Sequence, residues 1–261
     1  MNASDVRGAA RKVRDNPATG FLARLGYAAS GVLHILLGII AARIAWFRTG
    51  GSADQSGAFA TLRNEPLGAV ALAVLTLGFA GLAVWQVSTA VGAARGAGDR
   101  LKAAGKAVVY GALTWTGARF LLGRPSSSRG QSEDFTAKLM AEPGGRIAVG
   151  AVGVVVLVIA LFHVYKGWSG RFRRDLARDP GRFVTAAGHV GYVAKGVALG
   201  VLGALFVTAA TQDRPTRAGG LDAALRTLGQ QPFGSVLLTV VAVGLVAYGV
   251  YCFGRARSTD T

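Results

Sequence analysis

Cysteine and histidine are scarce in this chain of 261 residues, which has one cysteine and three histidines. The single cysteine, Cys252, excludes a disulfide bond within the chain. The histidines form no cluster at the spacing of a metal site, and neither a phosphate-binding loop nor a serine elbow occurs. We therefore expect no metal, no cofactor and no catalytic residue, and we predict that the protein is not an enzyme.

Charged residues are also few, at 16% of the chain against the usual quarter. Their signs are unequal, with 29 Lys and Arg but only 13 Asp and Glu. A net charge of +16 would suggest nucleic-acid binding in a soluble protein, but no recognisable nucleic-acid-binding fold accompanies the basic runs. The mean hydropathy of +0.41 instead indicates a lipid environment, so no nucleic-acid partner is expected.

Six long apolar stretches are present, and each approaches the roughly 20 helical residues that a bilayer core requires. Six such segments in one soluble domain would leave little polar surface. We therefore predict an all-α membrane protein with six transmembrane helices. Their expected limits are Leu25–Trp46, Leu67–Val91, Leu101–Leu122, Ile147–Tyr165, Val190–Ala210 and Phe233–Phe253.

One short junction occurs three times along the chain, as LRNEPLGAV, LMAEPGGRI and LGQQPFGSV. When the prolines are aligned, the apolar stretches fall into three units of helix, outer loop and helix. Units with two spans share one orientation, so we predict three tandem hairpins in a pseudo-threefold bundle. Proline is tolerated at the first position of a helix, and each junction proline is expected to start the second helix of its hairpin. These prolines are Pro66, Pro143 and Pro232.

The outer loops carry apolar residues at three- and four-residue spacing, which predicts short amphipathic helices at the outer interface. A partly re-entrant path for these loops is the alternative. The expected organisation is a basic N-terminal tail, two hairpin repeats, a basic linker, a third hairpin repeat and a C-terminal tail. The corresponding residues are 1–20, 21–95, 96–170, 171–185, 186–257 and 258–261.

Lys and Arg residues are more frequent in the tails and the linkers between units than in the outer loops. By the positive-inside rule, this asymmetry places both termini in the cytoplasm of a multi-pass plasma (inner) membrane protein. The basic tail and linker would then lie against anionic lipid headgroups at the cytoplasmic face, which are the expected partners.

Few polar side chains fall inside the predicted spans, and an ionisable group in lipid is costly enough to be a functional candidate. Lys106 and Lys195 occupy matching repeat positions, with Ser30 as their counterpart in the first unit. The two ammonium groups either extend to the inner headgroups or hold an anionic headgroup or small anion near the pseudo-threefold axis.

Two further pairs of polar residues match between repeats. His34 lies near mid-membrane and corresponds to Tyr110; it is either a hydrogen-bonded packing residue or part of a proton relay, although no intramembrane carboxylate is present as a relay partner. Gln86 and His163 share a position near the inner ends of their helices, where we expect them to anchor those helices at the interface.

The sequence GVALG, from Gly196 to Gly200, has the GxxxG pattern. This pattern favours the close approach of two membrane helices. The contact lies either within the bundle or between protomers of a homo-oligomer.

The chain resembles the bacterial membrane family known as domain of unknown function 1206. The likeness rests on LGYAASGVLHILLG, DQSGAFATLRNEPLG and GQQPFGSVLL, and the threefold organisation covers residues 21–257. The middle unit departs from the pattern at Lys102 and in SEDFTAKLMAEPGG. The resemblance implies a bacterial inner-membrane component with three two-helix units, and it implies no substrate.

These observations favour a structural or accessory membrane protein that binds lipid or a membrane-protein partner. The alternative is a small-solute or anion channel or transporter along the pseudo-threefold axis, motivated by the same lysines and His34. An axis filled with apolar side chains would argue against a static pore.

Overall fold

The computed structural model is predominantly helical in the residues that it describes, which are 16–47, 51–93, 96–176 and 179–258, together with Asp5, Gly8 and Lys12. Nine α-helices and no β-strand occur in this part of the chain. Most of the predicted basic tail at residues 1–20, and residues 259–261 of the predicted C-terminal tail, lie outside the described residues.

Long and short helices alternate in a pattern that repeats with the three sequence units. A short helix follows the first long helix of each unit, and a second long helix follows the short one. The helices are α1 (Pro17–Phe47), α2 (Gln55–Arg63), α3 (Gly68–Ser88), α4 (Ala97–Leu121), α5 (Ser128–Ala141), α6 (Gly145–Trp168), α7 (Gly181–Gln212), α8 (Gly220–Gly229) and α9 (Gly234–Ser258). A π-helical turn at Thr89–Ala93 extends α3, and 3-10 turns occupy Arg171–Asp175 and Pro215–Arg217.

Five of the six long helices are long and apolar enough to cross a membrane, namely α1, α3 with its π-helical extension, α6, α7 and α9. Helix α4 covers the third predicted span but is not among these five, because Lys106 and Arg119 interrupt its apolar sequence. All six predicted stretches are helical, whereas a membrane crossing by all six stays a prediction.

The long helices pack side by side in the order α4, α3, α1, α9, α7 and α6. Helices α1 and α9 are therefore central, and the two long helices of the second unit lie at the two ends of the row. Within the described ranges no packed interface joins α4 to α6. Three equivalent hairpins in a ring would have this sixth interface, so the pseudo-threefold bundle stays a prediction.

The three short helices lie at one end of the bundle, termed the cap end; the opposite end, which includes the 3-10 turn Arg171–Asp175, is termed the basic end. Helices α2 and α8 turn their apolar faces to the bundle, where Phe59 and Leu225 are fully buried. Helix α5 differs because its Phe135 is exposed. The predicted short helix is thus present in every loop; all three contact a long helix, and α5 is the least buried of them.

A buried carboxylate ties the three loops of the cap end together. Asp222 in α8 accepts hydrogen bonds from the backbone N–H of Ala53 at 2.7 Å and from Arg226 Nε at 2.9 Å. It also forms an ion pair with Arg129 of α5, at 3.3 Å. These partners belong to the first, third and second loops, so a single side chain holds the three loops in one arrangement.

Each junction proline lies in a tight turn, two residues before the next long helix begins. In the first unit Leu67 follows Pro66 with a φ of 61°, and Gly68 donates its N–H to the carbonyl oxygen of Glu65 at 2.8 Å. This is a type II turn with proline at its second position. The same turn forms at Pro143 and Pro232. The prediction that these prolines occupy the first helical position is therefore wrong, because the fixed φ of proline is used by the turn.

The glycine that closes each turn has no room for a Cβ atom, so a larger residue would not fit there. A Cβ atom at Gly234 would overlap the carbonyl oxygen of Gly229, whereas a Cβ at Gly111 in α4 would have no neighbouring atom within 4 Å. We expect Gly234→Ala to destabilise the folded protein by roughly 2 kcal/mol or more. Gly111→Ala is expected to be neutral or to stabilise by up to about 1 kcal/mol. Thermal unfolding in neutral detergent measures both, and equal melting temperatures for the two variants would contradict this role of Gly234.

Candidate functional site

Lys195 lies near the middle of α7, about 21 Å along the helix axis from its first residue. Its ammonium group is turned into the bundle. The Nζ atom is 3.1 Å from Nε2 of His34 on α1 and 4.1 Å from the centre of the Tyr248 ring on α9. Helices α1, α7 and α9 therefore meet around one cation, which lies away from the ends of the helices.

The ring of His34 is oriented by its own helix. Its Nδ1 atom is 2.7 Å from the carbonyl oxygen of Ser30, one turn earlier. A carbonyl oxygen can only accept, so we assign the proton to Nδ1, and the Nε2 atom of the neutral ring accepts from Lys195. The ring also contacts Tyr248, with centroids 4.6 Å apart. His34 is thus hydrogen-bonded inside the bundle and contacts the ammonium group of Lys195.

No described carboxylate pairs with Lys195. Asp175, at the basic end, instead forms ion pairs with Lys166 at 2.5 Å and with Arg255 at 3.7 Å. The Tyr248 ring stabilises the buried cation by roughly 2 kcal/mol, whereas removing an ammonium ion from water costs several kcal/mol. The charge of Lys195 is therefore only partly compensated by the residues that the structure describes.

Further basic side chains face the same region from α4 and α6. Lys106 on α4 is exposed, and its charge interacts with those of Arg255, the carboxylate Asp175 and Lys166. His163 on α6 is half-buried and lies within electrostatic range of Lys106, Lys166 and Lys195. We define Lys106, Lys166, Lys195 and His163 as the lysine centre. It is built from α4, α6 and α7. Of these, α4 and α6 lie at the two ends of the row of long helices, and this side without a packed interface is termed the open side of the bundle.

An aromatic cluster lies beside the lysine centre at the basic end. Tyr192, Tyr248, Tyr251 and Phe172 pack together, and Tyr192 lies 5.1 Å from Tyr248 and 5.5 Å from Phe172 between ring centroids. Lys166 lies 4.9 Å from the centre of the Tyr192 ring. Phe172 belongs to the predicted basic linker, and it packs into the protein together with Leu176 of the same segment. The three-residue spacing of Tyr248 and Tyr251 was the only sequence signal for this cluster.

The remaining predicted polar residues are separated from one another. Ser30 is buried, and its hydroxyl oxygen is 3.8 Å from Sγ of Cys252. Tyr110 stacks against Phe79, with centroids 6.4 Å apart, and no contact between Tyr110 and His34 occurs among the described residues. Gln86 is buried inside the protein with 6% of its surface exposed. This burial corrects the expectation that Gln86 anchors its helix at a hydrated interface.

The glycines of the GxxxG pattern face α6. A Cβ at Gly196 would lie 2.6 Å from a methyl group of Val164 and 2.9 Å from the carbonyl oxygen of Ala160. A Cβ at Gly200 would have ordinary contact with Ala160, at 3.9 Å. The close approach that the pattern predicts therefore lies within the bundle, and only Gly196 requires glycine.

The family model described as Domain of Unknown Function (DUF1206) matches this chain three times, at residues 25–93, 101–170 and 190–259. The chain is also similar to the uncharacterized protein YxxB of Bacillus subtilis (strain 168), with 29% identity over 240 residues, or 87% of this chain and 86% of that protein. No solved structure matches. The three matches coincide with the three two-helix units and confirm the resemblance found in the sequence, so the chain belongs to the DUF1206 family.

Proposed function

We propose that this protein is a multi-pass membrane protein that binds an anionic lipid through the lysine centre, as a structural or accessory component of the membrane. Lys195 carries the proposal. Its ammonium group is held inside the bundle by His34 and Tyr248, and none of the described carboxylates pairs with it. An ammonium group has three N–H donors, and the phosphate of a lipid headgroup would supply both an acceptor and the compensating charge.

The open side of the bundle gives a lipid a lateral route to this cation. Lys106 lies on α4 and both Lys166 and His163 lie on α6, so a headgroup that enters between these helices meets the lysine centre. The same two helices expose apolar side chains, including Val108, which is 73% exposed, and Val158, which is 61% exposed. Such a surface suits the acyl chains that would follow the headgroup.

A channel or transporter along the axis is the competing function. Against a static open pore stands the cap half of the bundle, where apolar side chains fill the interior. The fully buried members are Phe59, Leu72, Phe79, Leu225 and Leu238. This packing supports a binding site that is closed towards the cap end.

We further infer that α4 crosses the membrane as a sixth span. Its 25 residues extend roughly 37 Å, enough to cross a bilayer core. It begins after the turn that ends α3 at the basic end and leads to α5 at the cap end, where Ser128 N donates to Ser56 Oγ at 3.3 Å. Six crossings put both termini on one side, and the basic residues there favour the cytoplasmic face of a bacterial plasma membrane.

The lipid site makes a prediction for Lys195→Met, which removes the charge and keeps an unbranched apolar chain. We expect roughly ten- to a hundredfold weaker retention of phosphatidylglycerol, because a charge-assisted hydrogen bond is lost. The melting temperature in neutral detergent without lipid is expected to be unchanged or higher, since a buried and partly compensated charge has been removed. Native mass spectrometry and thermal unfolding with added lipid measure the two quantities.

Lys102→Met is the matched control, because Lys102 on α4 is exposed and, among the residues that the structure describes, forms an ion pair with Asp99 alone, at 3.8 Å. Its effect on lipid retention is expected to stay within about twofold. Equal retention by wild type and Lys195→Met would contradict the lipid site. Anion flux through wild-type protein in liposomes that disappears in Lys195→Met would instead support the transporter.

The sixth crossing is tested by labelling single cysteines in a Cys252→Ser background. Lys138 on α5 and Lys102 on α4 are both exposed and lie at opposite ends of the bundle. We expect a membrane-impermeant maleimide on intact cells to label Lys138→Cys and to leave Lys102→Cys unlabelled until the cells are permeabilised. Labelling of both positions would show that α4 does not cross, and the reverse pattern would invert the orientation.

A further inference from the structure

A small cavity at the cap end is lined by arginine. It has a volume of about 160 Å³ and lies between α5, α8, the top of α7 and the 3-10 turn Pro215–Arg217. Its polar walls come from all of these elements except α7, which contributes Leu205. The polar lining side chains are Arg129, Thr216, Arg217, Arg226, Thr227 and Gln230. No carboxylate is among the lining residues that the structure describes.

Two of the three guanidinium groups are held in place by carboxylates behind the wall. Arg129 Nε donates to Glu133 at 2.8 Å, and Arg226 Nε donates to Asp222 at 2.9 Å. Asp222 also pairs with Arg129 Nη1 at 3.3 Å and is 2% exposed. The hydrogen bond to Glu133 raises the pKa of Arg129, which therefore stays charged. The two arginines are thus fixed in position, and both their Nη groups retain donors beyond these bonds.

Arg217 contributes a third positive charge, which the two carboxylates Glu133 and Asp222 do not compensate. It is exposed, and no ion pair or side-chain hydrogen bond joins it to another described residue. Three guanidinium groups therefore converge on the cavity, and two carboxylates compensate them from outside it. The hydroxyl groups of Thr216 and Thr227 and the amide of Gln230 add neutral hydrogen-bonding groups to the wall.

The size and chemistry of the cavity restrict what it can hold. About 160 Å³ corresponds to roughly five water volumes, well below the 300 Å³ or more of typical small-molecule pockets. Arginine forks match the geometry of tetrahedral and planar oxyanions and bind them with two parallel hydrogen bonds. A single phosphoryl group fits these limits, and any larger part of a ligand that carries it would lie outside the cavity.

We propose that this arginine pocket is a second anion site, which binds one phosphoryl group at the cap end. The group belongs either to free inorganic phosphate or to a lipid headgroup, because the pocket lies where the cap meets the long helices. It is separate from the lysine centre and does not depend on it, since the two share no residue.

The test uses the full-length protein in neutral detergent and measures the rise in melting temperature with inorganic phosphate. We expect phosphate to stabilise the wild type and Arg217→Gln to weaken its apparent affinity roughly ten- to a hundredfold. Arg217 is exposed and has no described partner, so this variant is expected to fold normally. Arg214→Gln is the matched control. Arg214 lies three residues before Arg217 and carries the same charge, but its side chain does not line the cavity. Its affinity should stay within about threefold of wild type.

A second arm replaces inorganic phosphate with phosphatidylglycerol in the Lys195→Met background, where the lysine centre no longer contributes. Stabilisation that depends on Arg217 in this arm alone would identify a lipid headgroup as the source; stabilisation in the first arm identifies a free anion. Equal losses in Arg217→Gln and Arg214→Gln would reflect general charge and overturn the proposal. Absence of any effect of both phosphate and phosphatidylglycerol would overturn it as well.

Discussion

The ammonium group of Lys195 is the constraint around which the bundle is arranged. An ion inside a bundle of apolar helices needs acceptors, and here they come from a histidine on α1 and an aromatic ring on α9. This requirement fixes the proton of His34 on Nδ1, places Tyr248 over the cation and brings three helices from the first and third units together. It also leaves a positive charge that no described carboxylate matches, and this uncompensated charge is the physical argument for the proposed anionic ligand.

The proposed lipid site lies where the three units differ from one another. The units share the turn at the junction proline, the short loop helix and the order of long helices. Lysine occurs at the matching position only in the second and third units, because Ser30 takes its place in the first. The second unit is also the one whose two long helices lie apart. The proposed lipid route therefore lies on the side of the bundle that also carries the lysine centre.

The sequence predicted what depends on local pattern. Apolar length predicted the six long helices, and the repeated junction predicted the three units. Pro66 was assigned to the wrong position because type II turns and helix starts both accept proline before a glycine-containing helix. Asp222 and the aromatic cluster escaped prediction for a different reason. Asp222 meets Arg129 and Ala53 across 93 and 169 residues, and only the folded chain brings such partners together.

The two ends of the bundle differ in how their basic side chains are paired with carboxylates. At the cap end, Asp222 and Glu133 hold two arginines in position, and the cavity receives the charge of Arg217. At the basic end, Asp175 is shared by Lys166 and Arg255, whereas Lys195, near the middle of α7, has only neutral partners among the described residues. Lys195 and Leu205, which borders the arginine cavity, are about 15 Å apart along α7, with packed apolar side chains on the neighbouring helices. The two sites share no side chain, so a substitution at one is expected to remove no contact of the other, and its effects should add to those of a substitution at the second site.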